Sequence, residues 1–244
     1  MFKEEPNKFV IIIVAILIAL LVWRSTGKTV ISSTAEQDTI TVSSTANVEA
    51  APDKAELYVR IETLNKDAGD SQQENSKVSA KVISELALAG VAKKDIETRQ
   101  YYLSQKIRYG PEGEQIVEGY QTIHVLKVTT TKTKDVGSLI DAAIKGGANG
   151  IENIVFTLSD DKKAELTKQA LGQAAGDVEE KAQKIAESLG VKLGKAHTVS
   201  ESSFGITPYY ATYAAAEKAA PTPTQVLPQN VEVSATLSVE YKIS

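Results

Sequence analysis

The side chains able to do chemistry in this chain are few. His124 and His197 are the only imidazoles, and there is no cysteine. Thiol nucleophiles, disulfide scaffolds, Cys zinc sites and iron–sulfur clusters are excluded, and two histidines cannot build a multi-His metal cage. No Gly-x-Ser-x-Gly elbow exists to present a nucleophile to either histidine. His124 shares an extended run with Tyr120, Thr122, Leu126 and Val128 at alternate positions. That setting predicts a hydrogen-bonded structural histidine rather than a general base. Asp160 and Asp161 are neighbours, but adjacent helix positions point apart, so beside Ser159 they read as an acidic first turn. Gly146-Gly147-Ala148-Asn149-Gly150 has the look of a phosphate loop. It ends a predicted helix and precedes a strand, the reverse of the order that aims N–H groups at phosphate. Gly172-x-x-x-Gly176 has the spacing of a membrane-helix dimer motif in a polar setting; close packing of its helix on a sheet is expected, with a helix contact between copies as the alternative. No catalytic, cofactor-binding or metal-binding residue is assigned, and no cofactor is expected.

The 244 residues are 42% hydrophobic and 24% charged, a globular composition. Residues 1–34 are net positive, carrying Lys3, Lys8, Arg24 and Lys28 against Glu4 and Glu5, so the rest is more acidic than the overall charge of −4. An acidic body without a basic stripe is a poor nucleic-acid binder, because phosphate neutralisation supplies most of that affinity. No nucleic-acid partner is expected.

Residues 9–23, FVIIIVAILIALLVW, are an unbroken apolar run. As a helix it spans about 22 Å, short of a hydrocarbon core of roughly 30 Å. Lys8 and Arg24 can snorkel outward and Trp23 suits the interface, so a short span is expected, as an uncleaved single-pass signal anchor. A cleaved leader and a buried core helix are the competing readings; Trp23-Arg24 stands where a leader would carry small residues at its cleavage site. Residues 1–8 are a short flank and 24–38 a polar tether. Charge alone leaves the orientation tied, and the amino terminus tips it toward a body outside the cytoplasm.

The elements behind that tether follow from periodicity. Lys54–Glu62 alternates apolar and polar, a half-buried strand, and Thr39–Thr45 before it predicts an antiparallel partner. Asp70 with Gln73 suggests a capping box for a helix with Val78, Val82, Leu86 and Ala89 on its apolar face, stopped at Gly90. Tyr101, Leu103, Ile107 and Tyr109 alternate up to a Gly-Pro-Glu-Gly turn, and 116–130 runs back as a long-armed hairpin. A second helix over 135–145, a strand over 151–158 and a long helix from Ser159 to Gly190 follow. Ala164, Leu171, Ala174, Val178, Ala182, Ile185 and Leu189 are expected along one stripe of the long helix, packed on a sheet. After a short strand near 195–203, residues 206–228 fit no period and carry Tyr209, Tyr210 and Tyr213 among four prolines. The chain closes on 231–243, apolar at every odd position, a strand about 43 Å long whose length predicts an edge overhanging its neighbours. The order ββαββαβαββ predicts an α+β body, mostly antiparallel sheet with about three helices on one face, behind one N-terminal membrane helix.

Several stretches together carry a resemblance: TITVSSTANVEAAPDKAEL (39–57), GVAKKDIET (90–98) with Tyr101, EGY (118–120), GGAN (146–149), FTLSD (156–160), KAQKIAESLGVKLGKA (181–196) and VEVSATLSVEY (231–241). In this order they resemble the SIMPL-domain family, a domain of unknown function that takes in periplasmic immunogenic proteins of bacteria. Ser44-Thr45 and Gln121-Thr122-Ile123 depart from the family's usual residues. The resemblance covers 39–244 and implies an exported or surface-attached α+β protein, prone to large homo-oligomers, with no established catalytic residues. It points to a membrane-anchored, extracytoplasmic assembly protein serving envelope integrity or stress tolerance, and not to an enzyme. A homo-oligomer larger than a dimer is expected, with Tyr209, Tyr210 and Tyr213 as contacts, since tyrosine is enriched in interfaces. A monomeric module binding a peptide or small ligand is the alternative; no particular ligand is legible.

Overall fold

A computed structural model describes residues 38–211 and 224–244. The apolar run, its flanks Lys8, Trp23 and Arg24, and all but the last residue of the tether lie outside the described residues. Among those described, no helix is long and apolar enough to cross a membrane. Residues 39–244 form one compact unit.

Eleven elements follow one another: β1 (Thr39–Ala50), β2 (Lys54–Asn65), α1 (Ala68–Leu88), β3 (Ile96–Tyr109), β4 (Gln115–Thr130), α2 (Val136–Lys145), β5 (Gly150–Thr157), α3 (Asp160–Leu189), β6 (Leu193–Thr207), β7 (Tyr209–Ala211) and β8 (Val231–Ile243). Among the described residues the expected α+β class holds, with three helices and every strand pair antiparallel. The single sheet does not. There are two, ordered β1-β8-β6 and β3-β4-β2-β5-β7.

That partition corrects three expectations. β1 does not pair with β2; it runs the whole length of β8, Thr39 opposite Lys242 through Ala50 opposite Val231. β8 does not overhang, since β6 covers its other edge from Ile243 to Glu232. The short strand near 195–203 is instead fifteen residues long. A strand as apolar as β8 gains most as the centre of a sheet, where both edges are satisfied and one face is buried.

The five-stranded sheet buries Leu57, Val59, Ile61, Leu126, Ile154 and Phe156 under α1 and α2. The three-stranded sheet packs Val42, Ala46, Val233, Ala235 and Val239 against Ala170, Ala174, Val178 and Ala182 of α3. Alanines on that stripe let helix and sheet approach closely, as expected, but Ala164, Ile185 and Leu189 are exposed and Leu166 and Ala186 are buried instead. The two sheets join at Asp53, whose carboxylate accepts the Ser159 amide (2.6 Å) and hydroxyl (2.5 Å) at the start of α3. Burial raises this carboxyl, and the bonds from Ser159 outweigh it, leaving its pKa below the ordinary value. The junction is therefore intact above the carboxylate range and weakens as pH falls through it.

Helix ends follow local rules. Gly90 and Gly190 sit at φ +95° and +71°, the left-handed stops expected of them. α1 is capped by Asp67, which accepts from the Gly69 and Asp70 amides, so Asp70 is a first-turn residue and not the cap.

Candidate functional site

The buried face of α1 is not the apolar stripe its valines suggest. Ser71, Asn75 and Ser79, spaced one turn apart, are buried together with Val82 and Leu86. They lie over polar positions of the sheet. The Ser71 hydroxyl bonds the Thr122 hydroxyl (2.8 Å), and Thr63 Oγ1 donates to the Ser71 carbonyl (2.8 Å). Asn75 Nδ2 donates to the carbonyls of Ile61 (3.0 Å) and Thr122 (3.2 Å), one on each of two neighbouring strands. Ser79 donates to Asn75 Oδ1 at 3.3 Å and lies 2.9 Å from His124 Nδ1. His124 Nε2 lies 2.9 Å from Thr98 Oγ1 on β3. Tyr101 meets the imidazole edge-on, ring centres 5.2 Å apart. No buried side-chain nitrogen or oxygen among the described residues lacks a partner.

The directions of these bonds select a tautomer. With its proton on Asn75, Ser79 must accept from His124, so Nδ1 carries the hydrogen and Nε2 accepts from the Thr98 hydroxyl. The result is one line of donors, Thr98 to His124 to Ser79 to Asn75 to two strand carbonyls. Thr98 on Nε2, with Nδ1–H oriented by Ser79, has the order nucleophile, base, orienter. Thr98 shares its sheet face with Leu126, and it borders a cavity of about 320 Å³ that is also lined by Tyr58, Glu97, Arg99 and Lys127. The line fastens α1 to β4 and, through Thr98, to β3, with Ser79 buried at its inner end and Thr98 exposed at its outer one. No three His, Asp or Glu side chains converge as a metal site among the described residues.

Burial lowers the pKa of His124 from the ordinary histidine value. The unfolded chain then binds this proton more readily than the folded one, so stability is complete above about pH 6.5 and declines as pH falls through that value. Taking the pH from about 7.5 to about 5.5 is expected to lower the urea midpoint of the wild-type chain. His124→Gln should flatten that dependence, and an equal slope in the variant would contradict the assignment.

The SIMPL family, described as a protein of unknown function (DUF541), matches residues 40–241. The chain belongs to this family. Among curated relatives of the SIMPL chain, the uncharacterized protein YggE of Escherichia coli strain K12 is 31% identical over 162 residues, 66% of this chain and 64% of the relative. The match thus spans less than two thirds of that relative's length. YggE of Edwardsiella ictaluri is 28% identical over 182 residues, 74% of this chain and 75% of the relative. The 26 kDa periplasmic immunogenic protein of Brucella melitensis biotype 1 is 25% identical over 169 residues, covering 67% and 66% respectively.

The residues singled out from the SIMPL sequence scatter across the structure. Tyr209 and Tyr210 lie on β7, a three-residue strand paired with β5 inside the segment that showed no period. Tyr209 stacks on Phe156, centroids 6.0 Å apart, so its ring is committed to the core of its own chain. Tyr210 is 59% exposed, and Tyr213 lies outside the described residues. His197 is exposed on β6, and Ser159 caps α3 with Asp160 and Asp161 in its first turn. Gly146 ends α2 and Gly147 turns the chain at φ +104°, a cap and not a phosphate loop. Gly172 and Gly176 face open space, so close sheet packing is not their role. Missed altogether was the polar line on α1, although Ser71, Asn75 and Ser79 recur every four residues.

Proposed function

We propose that this protein is an extracytoplasmic assembly protein, held at a membrane by residues 9–23 and acting as a homo-oligomer larger than a dimer, in envelope integrity or stress tolerance. One observation carries the assembly reading. The hairpin of β3 and β4 contributes six of the fourteen exposed large apolar side chains among the described residues: Tyr101, Tyr102, Leu103, Ile107, Tyr109 and Val117. β3 is also the outermost strand of its sheet. A long unpaired edge flanked by exposed apolar groups is a surface that another chain covers. Tyr210 and the loop after it supply a second contact in this reading. The periplasmic name of the Brucella relative supports a body outside the cytoplasm.

Light scattering on the full chain in detergent, corrected for the micelle, is expected to give a mass above twice 26.2 kDa. Replacing 212–223 by a Gly/Ser linker spares Tyr209 and the Thr224 hydroxyl bond to Asp141, and should lower that mass without unfolding the body. N-terminal sequencing of protein from membranes should begin at residue 1 or 2; a start between 25 and 36 removes the anchor. The alternative, a monomeric binding module, draws on a cleft of about 430 Å³ lined by Glu49, Thr207, Pro208, Tyr209, Gln229, Asn230 and Glu232. A monomeric mass with a ligand captured there would favour it.

A further inference from the structure

We infer that β3 is the two-fold contact of this assembly: the β3 strands of two copies pair antiparallel, centred on Gln105, joining two five-stranded sheets into one. The inference rests on the assembly reading and names its interface.

The other free edges are guarded. Lys181 of α3 reaches the Ser43 carbonyl (3.4 Å) and the Ser44 hydroxyl (3.2 Å) of β1. β6 is broken by three register shifts against β8, and bulges blunt an edge for pairing. β7 is only three residues long. β3 has one bulge, at Arg99, and then runs regularly from Gln100 to Tyr109. The second irregularity in its pairing inserts Glu118 on β4 and leaves β3 itself straight. Among the described residues no strand pairs with the outer edge of this ten-residue stretch, so every second residue presents its backbone N–H and C=O there.

The side chains decide what fits that edge. Tyr101, Leu103, Gln105, Ile107 and Tyr109 lie on the face that α1 covers farther along the sheet, and Tyr102, Ser104, Lys106 and Arg108 lie on the other. In an antiparallel pair directly opposite residues share a face. A two-fold axis at Gln105 sets Leu103 against Ile107 and Tyr101 against Tyr109, twice each. On the other face it sets Tyr102 against Arg108 and Ser104 against Lys106, a cation over a tyrosine ring and no like charges opposed. Moving the axis to Ser104 sets Leu103 against Gln105 and loses the Tyr101–Tyr109 pair. Pairing through the same patch on both copies is isologous and closes at two, so any larger particle needs a second, separate contact.

The open face is not suited to a lipid surface, because the unpaired edge of β3 would carry its backbone groups into hydrocarbon unsatisfied. A second copy satisfies them.

The chain lacks cysteine, so a single introduced thiol reports the contact cleanly. Opposed positions on antiparallel strands have Cα atoms about 4.5–5.5 Å apart, within disulfide range. Full-length Gln105→Cys in detergent should give a covalent dimer in high yield under mild oxidation, and Gln173→Cys on exposed α3 should not. Leu103→Lys/Ile107→Lys and Leu103→Glu/Ile107→Glu each oppose like charges, and each should halve the particle mass. Mixing the two variants should restore it. Circular dichroism and urea unfolding verify that both variants fold. Retention of the wild-type mass by both, without the Gln105→Cys cross-link, overturns the interface and leaves the assembly reading standing. A wild-type dimer that cross-links keeps the β3 contact and overturns only the larger particle. A monomeric wild type overturns both, and binding of that monomer to phosphatidylglycerol vesicles through the hairpin gives the patch to a lipid surface.

Discussion

Asn75→Leu is expected to destabilise the folded chain by about 2–4 kcal/mol, although leucine has the same branching and heavy-atom count and leaves no cavity. The loss comes from hydrogen bonds. The Asn75 amide donates at 3.0 Å to Ile61 and at 3.2 Å to Thr122, fastening α1 to β2 and β4 at once. Leucine strips both carbonyls of that donor in a site closed to water, and an unmet buried polar group costs about 1–3 kcal/mol. It also removes the acceptor of the Ser79 hydroxyl. Ser79 must then turn its proton toward His124 Nδ1, which moves the imidazole hydrogen to Nε2. Two measurements follow. Urea unfolding gives the loss in stability, and nitrogen-15 shifts of His124 report the change of tautomer. A loss under about 1 kcal/mol with an unchanged tautomer would mean that water substitutes for the amide and that the donor line is not continuous.

Why this cluster escapes a hydropathy reading is physical. Amphipathic periodicity finds a helix face by its apolar residues, and α1 gives only Val82 and Leu86 to the deep core. The rest of its buried face is polar and complementary to Thr63 and Thr122, a match visible only once strand and helix are juxtaposed. The same blindness displaced the stripe on α3. Its buried positions are Leu166 and then mainly alanines at four-residue steps, and alanine is at home on either face. Local signals fared better. The stops at Gly90 and Gly190, the Ser159 cap, the turn after Tyr109 and the alternation of β8 all depend on a few adjacent residues, and each lies where the sequence puts it.

Strand partners were the least legible feature. Alternation says which side chains share a face, and it is silent about which strand lies alongside. β1 and β2 are joined by three residues, yet Pro52 and Asp53 carry the chain from one sheet to the other, and β1 finds β8 at the far end of the sequence. β3 is the instructive case. Its alternation of Tyr101, Leu103, Ile107 and Tyr109 reads as a buried face, and in one copy of the chain these residues are 40–65% exposed. The pattern expects a cover that α1 does not provide, since α1 lies over β2 and β4 and its first residue, Ala68, stops short of the hairpin tip. The polar line and this open face meet at His124, which holds Thr98 on one side and the edge of Tyr101 on the other.

Gly146→Ala is expected to cost about 3 kcal/mol, near the top of the range for overpacking. The sign is not obvious from local conformation. Gly146 has φ −68°, an ordinary helical value, and at an open helical site alanine is favoured over glycine by about 1 kcal/mol. Here a Cβ would fall 2.5 Å from the Val82 Cα, 2.9 Å from the Val82 nitrogen and 3.2 Å from the Lys81 carbonyl carbon. Those are backbone atoms of α1 and cannot rotate aside, so α1 and α2 must separate over a core in which Val82, Ile140 and Ala143 are fully buried. The control lies on α3. Gly172 and Gly176 meet nothing within 4 Å, so Gly172→Ala and Gly176→Ala should each raise stability by roughly 0.5–1 kcal/mol through helix propensity alone. Thermal or urea unfolding of the three variants decides it: a mild Gly146→Ala, losing less than about 1 kcal/mol, would show that the two helices are free to part. Particle mass adds a second reading of the control pair. If Gly172→Ala or Gly176→Ala stabilises the fold and yet lowers the mass, the open glycine face of α3 is itself a contact between copies.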